Sequence, residues 1–248
     1  MAPESALTEL RIRAAAAGAA PEAGRISLAE RLALERDVLV AWAREKNVVI
    51  AAESCLSRVE GTHGEHHVYF NIERDRYFKI THGADTANAG FALTVDTEFR
   101  IGKKTQRYIA VPWLREATPF EYLARLQLFN LTFRDDVEIE GVIVEPGRQA
   151  IVVSQRFISG GAATAAKVAA FMFQRGFVAL PGVTVGRGNS ASYVHPEEAI
   201  AVFDTHGQNF LVSGEGIIPI DALILRASED LLAYLAMSPA ERAAETGC

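Results

Sequence analysis

The sequence predicts an α+β protein in which a sheet-rich first half precedes a mixed second half. Apolar residues recur at helical spacing after the capping box that begins at Ser27. Short apolar runs separated by turn-forming clusters follow over 48–80 and predict an antiparallel meander. The Ser159–Gly161 stretch then marks a change of pattern. Together these three observations predict two successive folding regions with a boundary near 155–162.

Composition narrows the class of protein before any motif is considered. The chain has 248 residues, of which 49% are hydrophobic and 23% charged, and its net charge is −6. That length fits one domain of two lobes or two small domains. Two cysteines cannot form a disulfide framework, and there is no long apolar run and no basic leader before an apolar core. We therefore expect a cytoplasmic protein without a membrane partner, and the acidic balance argues against nucleic acid.

The first half divides into a leader, a helix and strands. Residues 1–26 are Ala-rich, and we expect a flexible leader or a short helix there. An accessory helix is predicted over 27–47. Short strands follow, and the last of them carries Lys79. Residues 81–116 are expected to form a long insertion that can include one or two edge strands.

A second helix and a strand pair close the first half. Thr118 is a good N-cap and Pro119 suits the first helical position. A strand pair is predicted over 137–144 and 150–154. Beyond the boundary we expect a helix over 163–174, a Gly-rich loop over 181–192, short strands and a final helix near Ser228.

Three polar residues in the last fifth of the chain have the spacing of a phosphoryl-transfer site. Asp204 follows an apolar strand, Asn209 comes five residues later, and the next hairpin leads to Asp221. Protein kinases use this spacing: the Asp orients the acceptor hydroxyl, and the Asn and the second Asp hold Mg²⁺ on the phosphates. Phosphoryl transfer develops charge that cations offset, and Mg²⁺ prefers carboxylate and amide oxygens. The spacing therefore predicts a catalytic Asp204 with Asn209 and Asp221 as metal ligands, although an isolated Asp and Asn at a strand end are often turn formers.

The upstream half supplies the other parts of such a site in order. Lys79 occupies the place of the strand lysine that contacts nucleotide phosphates, although a lysine there can also protect a strand edge. Glu121 is the candidate ion-pair partner of Lys79, yet in the first turn of a helix it can simply complement the helix dipole. Other candidates for that partner are Glu116, Glu138 and Glu140.

Further nucleotide-binding residues are predicted from a glycine hairpin and a linker. Gly61, Gly64 and Val68 would form the hairpin that covers the phosphates, since glycines let the main chain approach a ligand. Gln155 and Phe157 would belong to the hinge that contacts adenine through main-chain groups.

In combination these motifs resemble the kinase-like domains of polyvalent proteins from phages and conjugative elements. The matching stretches are Gly64–Phe70, Tyr77–Ile80, Ala117–Leu126, Val153–Gln155, Phe203–Asp204 with Asn209, and Pro219–Asp221. The resemblance covers roughly residues 41–228. It implies a minimal bilobal protein-kinase-like fold that uses ATP and Mg²⁺ to phosphorylate a protein hydroxyl, within a mobile element acting in a bacterial host. On that basis an antiparallel-sheet N-lobe spans 48–155 and a small helical C-lobe spans 156–248.

Departures from the general kinase pattern keep other functions open. The residues before Asp204 lack the usual His and Arg, Asp221 is not followed by Phe and Gly, and His206 replaces a lysine. No long activation segment follows Asp221. The alternatives are a pseudokinase, a phosphotransferase acting on a small molecule such as an antibiotic, and a non-enzymatic or nucleotide-binding accessory module. No feature of the sequence indicates the oligomeric state.

Overall fold

The structure, a computed structural model, describes residues 1–16, 26–50, 57–58, 65–81, 91–188 and 190–247. The helices in that part of the chain are α1 (Pro3–Ala16), α2 (Leu28–Glu45), α3 (Pro119–Phe133), α4 (Ala165–Gln174), α5 (Glu229–Ala236) and α6 (Pro239–Thr246). The first eight strands are β1 (Val49–Ile50), β2 (Ser57–Arg58), β3 (His66–Asn71), β4 (Arg76–Thr81), β5 (Leu93–Ile101), β6 (Tyr108–Glu116), β7 (Glu138–Glu145) and β8 (Arg148–Arg156). The others are β9 (Gly161–Ala162), β10 (Val178–Ala179), β11 (Tyr193–His195), β12 (Ile200–Phe203), β13 (Phe210–Ser213), β14 (Gly216–Pro219) and β15 (Leu223–Arg226). The mixed α+β class predicted from the sequence is confirmed.

Contacts divide the chain into two compact units. The first comprises Met1–Leu93 and Glu116–Phe157, and the second comprises Thr94–Arg115 and Ile158–Cys248. Within the part of the chain that the structure describes, none of the helices is long and apolar enough to cross a lipid bilayer.

A six-stranded sheet organises the first unit. Its strand order is β1-β7-β8-β4-β3-β2, with β1 parallel to β7 and the other neighbours antiparallel. The central strands β7 and β8 bury both faces, which is why they read as apolar runs rather than as alternating patterns. One face packs against α1, α2 and α3, and the other carries a smaller cluster around Phe78 and Ile80.

The amino-terminal leader is a packed helix over residues 3–16 rather than a flexible segment. Ala6, Leu7 and Leu10 of α1 are almost completely buried, in the same core as Trp42 and Leu123. Small alanines let this helix approach its neighbours closely, so the composition that suggested a frayed end instead permits tight packing. Residues 17–25 of the predicted leader lie outside the described part of the chain.

Local capping fixes where the two other helices of this unit begin. Ser27 and Glu30 form a capping box at α2, as the sequence predicts, and Thr118 and Glu121 form one at α3. Such caps satisfy main-chain N–H groups that the first helical turn leaves unpaired. The start of α3 is therefore set by residues within a few positions of it.

The second unit is mixed, as the sequence pattern predicts, rather than the small helical lobe that the family resemblance implies. Its described residues form a four-stranded sheet (β10-β11-β12-β15), a three-stranded sheet (β14-β13-β9), the β5–β6 pair and three helices. Phe203 and Phe210 are completely buried. Many of these strands span only two to four residues, which is too short for a clear periodic pattern.

The stretch predicted as an insertion forms a two-stranded sheet with long strands. Both β5 and β6 span nine residues, and most of each strand belongs to the second unit. The buried Glu245 of α6 holds the turn between them, because its carboxylate accepts hydrogen bonds from the main-chain N–H groups of Lys104 (3.2 Å) and Thr105 (3.1 Å). Apolar and polar residues alternate along β5, but the apolar Phe99 and Ile101 at its end are exposed.

Candidate active site

The three residues predicted for catalysis and metal binding lie at one end of a strand pair. Strands β12 and β15 pair antiparallel, with Phe203 opposite Leu223. Asp204 directly follows Phe203, and Asp221 precedes Leu223 by two residues, so both acids leave the same end of the pair. The β13–β14 hairpin lies between them in sequence. The second unit therefore brings Asp204, Asn209 and Asp221 together.

Asp204 has an unusual main-chain conformation and a fixed carboxylate. Its φ of 54° lies in the left-handed region, which Asp tolerates better than most residues but which still costs energy. Oδ1 accepts hydrogen bonds from the main-chain N–H of Arg187 (2.8 Å) and the hydroxyl of Ser190 (3.1 Å). Two donors on one oxygen hold the carboxylate in a single orientation.

Asn209 is oriented by Asp204. Its Nδ2 donates to the main-chain oxygen of Asp204 at 2.8 Å and lies 3.3 Å from the carboxylate oxygen Oδ2. Because the nitrogen faces these oxygens, the amide oxygen Oδ1 points to the other side. Among the residues that the structure describes, no donor is bonded to Asn209 Oδ1.

Asp221 is tied to the same loop through main-chain groups. The carbonyl oxygen of Asn209 accepts from the N–H of Ile220 at 2.9 Å and from that of Asp221 at 3.4 Å. The end of the hairpin is thus held against the residue that begins it. The half-buried Asp221 and the amide oxygen of Asn209 are hard oxygen ligands of the kind that Mg²⁺ takes, often with substrate phosphates and water completing its shell. This donor set fits the metal predicted from the sequence.

The short 3₁₀ turn Gly207–Asn209 is preceded by His206 and held in place by Ala163. His206 precedes the turn, and its Nε2 lies 3.7 Å from Oδ2 of Asp204. Its Nδ1 is buried and has no hydrogen-bond partner among the described residues. Ala163 braces the turn by donating its N–H to the carbonyl oxygens of Gly207 (3.1 Å) and Phe210 (2.8 Å).

Lys79 lies in the six-stranded sheet of the first unit. It is opposite Val68 on β3 and Val153 on β8, so these three side chains share one face of the sheet. Gln155 lies two residues beyond Val153 on the same face and is almost completely buried. The structure thus groups three of the predicted nucleotide-binding residues, Lys79, Val68 and Gln155, on one surface of β3, β4 and β8.

Asp135 is a residue near Lys79 that sequence analysis missed. Its Oδ2 accepts a hydrogen bond from Nε2 of Gln155. Burial raises the pKa of Asp135, and the positive charge of Lys79 acts in the opposite direction. Asp135 follows Arg134, which ends α3 in a left-handed main-chain conformation. In the sequence, Asp135 is simply part of an ordinary polar loop between a helix and a strand.

Glu121 caps α3 and links it to α2. Its Oε2 accepts from the main-chain N–H of Thr118 at 2.9 Å, and its Oε1 accepts from Nη2 of Arg31 at 2.6 Å. Glu121 therefore lies in the first turn of α3, where the helix-dipole alternative placed it, and also caps the helix, while its pairing with Lys79 stays a prediction.

The remaining predicted nucleotide-binding residues differ in what the structure describes. Gly61 and Gly64 lie outside the described residues. Phe157 is 38% exposed, and its ring lies 5.3 Å from that of Phe70 and 5.5 Å from that of Tyr77. The N–H of Phe157 donates to the carbonyl oxygen of Asp75 at 3.1 Å, so a main-chain contact from Phe157 to a base would use its carbonyl group.

The Gly-rich loop over 181–192 contributes residues that sequence analysis gave no role. Arg187 and Ser190 donate to Asp204, and Gly186 approaches the same carboxylate closely. The only signal for this contact was the glycine content of the loop, which indicates close main-chain approach but not its target.

Comparison with known proteins gives one match. Neither the curated proteins nor the solved structures contain a significant match to this chain. A family model described as serine/threonine/tyrosine kinase found in polyvalent proteins matches residues 113–227. The matched segment begins after Lys79 and contains Asp204, Asn209 and Asp221. Residues 113–227 are therefore similar to the kinase domains found in polyvalent proteins, which confirms the resemblance seen in the sequence.

Proposed function

We propose that this chain is an ATP- and Mg²⁺-dependent phosphotransferase with a minimal bilobal protein-kinase-like fold, acting on serine, threonine or tyrosine hydroxyl groups of a protein. The observation that carries the proposal is the grouping of Asp204, Asn209 and Asp221 at one end of β12 and β15, inside the segment that matches a kinase family. Each of these side chains is of the type that phosphoryl transfer requires.

Asp204 is assigned to the acceptor hydroxyl. Its Oδ1 is held by two donors, so Oδ2, which lies 3.3 Å from Nδ2 of Asn209, is the oxygen assigned to orient an incoming hydroxyl and to accept its proton. A fixed carboxylate lowers the cost of reaching the reactive geometry, because orientation is set before the substrate binds.

Asn209 and Asp221 are assigned to the metal. Asn209 presents Oδ1 because its nitrogen is bonded to Asp204, and Asp221 is fixed to Asn209 through main-chain hydrogen bonds. When bound, Mg²⁺ would offset the negative charge of the phosphates. Asn209 would offer Oδ1 to the ion, and Asp221 would offer its carboxylate.

Lys79 is assigned to the nucleotide phosphates, and the sheet face around it to the rest of the nucleotide. Val68 and Gln155 share that face, and Phe157 follows the end of β8. Gly61 and Gly64 are proposed to cover the phosphates. The acceptor is proposed to be a protein of a bacterial host, and the site of action its cytoplasm.

Incubation with γ-labelled ATP and Mg²⁺ tests the proposal. The wild type is compared with Asp204→Ala, Asp221→Asn and Lys79→Met, and with Asp37→Asn as a matched control because Asp37 is exposed on α2. We expect labelling of the chain itself or of bacterial lysate proteins in the wild type and in Asp37→Asn. Loss of a group acting directly on transfer should reduce the rate by at least ~100-fold. Equal labelling in every sample would refute the assignments.

The same samples separate the alternatives. Thermal stabilisation by Mg·ATP without label transfer would identify a pseudokinase, because a ligand that binds only the folded state raises its stability. Transfer to small hydroxyl compounds but to no protein would identify a small-molecule phosphotransferase. Absence of any stabilisation by Mg·ATP would favour a non-enzymatic accessory protein.

A further inference from the structure

The loop that precedes β11 holds the carboxylate of Asp204. Asp204 donates its N–H to the carbonyl oxygen of Val185 (3.2 Å), and the N–H of Arg187 donates back to Asp204 Oδ1 (2.8 Å). Gly186 between them has a φ of +95°, and a Cβ on it would lie 2.6 Å from Oδ1. The main chain therefore approaches Asp204 at a position where only glycine fits.

The side chain of Arg187 extends to the loop that contains Asp204 and Asn209. Its Nη1 donates to Oε1 of Gln208 at 2.6 Å, and Gln208 is the residue before Asn209. Arg187 is nevertheless exposed, so its remaining guanidinium donors can meet a ligand. Two separate hydrogen bonds, one from the main chain and one from the side chain, thus anchor this residue to the candidate site.

The charge of the segment from Asp204 to Asp221 makes such a cation significant. This segment contains three acidic residues, the two site acids and Glu215, and neither lysine nor arginine. The lysine that kinases carry two positions after the catalytic Asp is replaced by His206. A site that transfers a phosphoryl group needs positive charge where negative charge develops, and a guanidinium matches phosphate oxygens in geometry as well as in charge.

We propose that Arg187 binds the phosphoryl group handled beside Asp204, and that the Gly-rich loop is part of the active site. This inference rests on the proposed phosphotransferase function. The contact of Arg187 with Gln208 keeps the guanidinium at the loop before the phosphoryl group arrives, so less side-chain freedom is lost on binding.

Substitution of Arg187 separates its two roles. Arg187→Ala keeps the main-chain N–H that holds Asp204 and removes only the guanidinium. We expect phosphate transfer to fall by ~100-fold or more, with partial retention in Arg187→Lys and partial recovery of Arg187→Ala on addition of guanidinium ion. The matched control is Arg226→Ala, because Arg226 is an exposed arginine of the same unit whose side chain, among the described residues, is bonded only to the carbonyl oxygen of Glu198 at 3.4 Å. This control should change the transfer rate by less than about twofold.

Binding of Mg·ATP, measured by calorimetry, is a second readout that needs no turnover. We expect Arg187→Ala to weaken it by ~10- to 100-fold, as loss of one charged hydrogen bond predicts, while Arg226→Ala leaves it unchanged. If the wild type transfers phosphate and Arg187→Ala has the same transfer rate and the same affinity for Mg·ATP, the inference is overturned and the proposed function stays intact. A rate loss confined to acidic acceptor peptides would also overturn it, since Arg187 would then bind the acceptor. Absence of transfer in the wild type would refute the proposed function, and the calorimetric comparison would still decide whether Arg187 binds phosphate.

Discussion

Gly207 lies against the main chain of Ala163 so closely that no side chain fits between them. A Cβ on Gly207 would lie 2.0 Å from the carbonyl oxygen of Ala163, and Ala163 donates its own N–H to the carbonyl oxygen of Gly207 at 3.1 Å. This contact fixes the turn between Asp204 and Asn209. The geometry of the site therefore depends on a glycine that has no chemical role.

Replacing Gly207 by alanine should disturb both the fold and the site. The added methyl group meets a carbonyl oxygen rather than a movable side chain, so the main chain must shift, at a cost of about 1–3 kcal/mol. Thermal denaturation should show a lower Tm, and phosphate transfer should fall with it. Gly214→Ala is the control, because nothing lies within 4 Å of a Cβ there. Equal Tm values for the two variants would contradict the steric argument.

The grouping of Asp204, Asn209 and Asp221 could be predicted because it depends on local sequence. A strand, a turn and a hairpin of fixed length bring these residues together, and each element has its own signal in the chain. The starts of α2 and α3 were predictable for the same reason, since their caps lie within three residues of the helices.

Contacts between distant parts of the chain could not be predicted in this way. Asp135 approaches Lys79 only because the loop after α3 lies beside β4 and β8, and no periodic pattern encodes that proximity. Arg187 meets Gln208 across 21 positions of sequence. The packing of α1 was missed because its many alanines produce a weak difference between its faces. These features depend on tertiary packing rather than on local propensity.

Two amide-to-acid changes at neighbouring residues should differ in their effect on stability. Asn209→Asp places a carboxylate oxygen where Nδ2 now donates to Asp204, which replaces an attraction by repulsion and should cost about 1–3 kcal/mol. Gln208→Glu adds the same charge but faces Nη1 of Arg187, so it should leave the free energy of unfolding nearly unchanged. Urea denaturation of both variants at pH 7 measures the difference. Similar losses in both would show that added negative charge, rather than the lost donor, destabilises the loop.

Glu35 should make stability depend on pH. It is 8% exposed, and its Oε2 accepts the N–H of Phe120 at 3.0 Å. Burial raises the pKa of Glu35 above its ordinary value of 4.5, although hydrogen bonds and Arg31 oppose the shift. The folded state therefore holds this proton more tightly than the unfolded state. The stabilisation of the folded state by this proton is fully present below pH 4.5, and it is lost as pH rises through the raised pKa.

Glu35→Gln removes that dependence and keeps an oxygen for the N–H of Phe120. We expect the variant to have a higher Tm than the wild type at pH 7, by an amount equivalent to about 1.4 kcal/mol for each pKa unit, and no advantage near pH 4. Glu45→Gln is the control of opposite sign, because the hydrogen bond from Arg13 lowers the pKa of the exposed Glu45. A Tm difference for Glu35→Gln that does not change with pH would contradict the argument.

Arg125 and Glu65 form a buried ion pair whose disruption should be costly. Their side chains are 5% and 10% exposed, and Arg125 also donates to the carbonyl oxygen of Leu93 at 2.6 Å. Arg125→Met leaves Glu65 charged and poorly paired in the interior, which should cost about 3–5 kcal/mol. The double variant Arg125→Met with Glu65→Gln removes that charge and should recover part of the loss.

Arg13→Met is the control on an exposed ion pair. It breaks the pair with Glu45 and should lower Tm far less. Chemical denaturation of the wild type, Arg125→Met, Glu65→Gln and the double variant measures the coupling, and strictly additive effects of the two buried changes would show that the pair does not act as a unit.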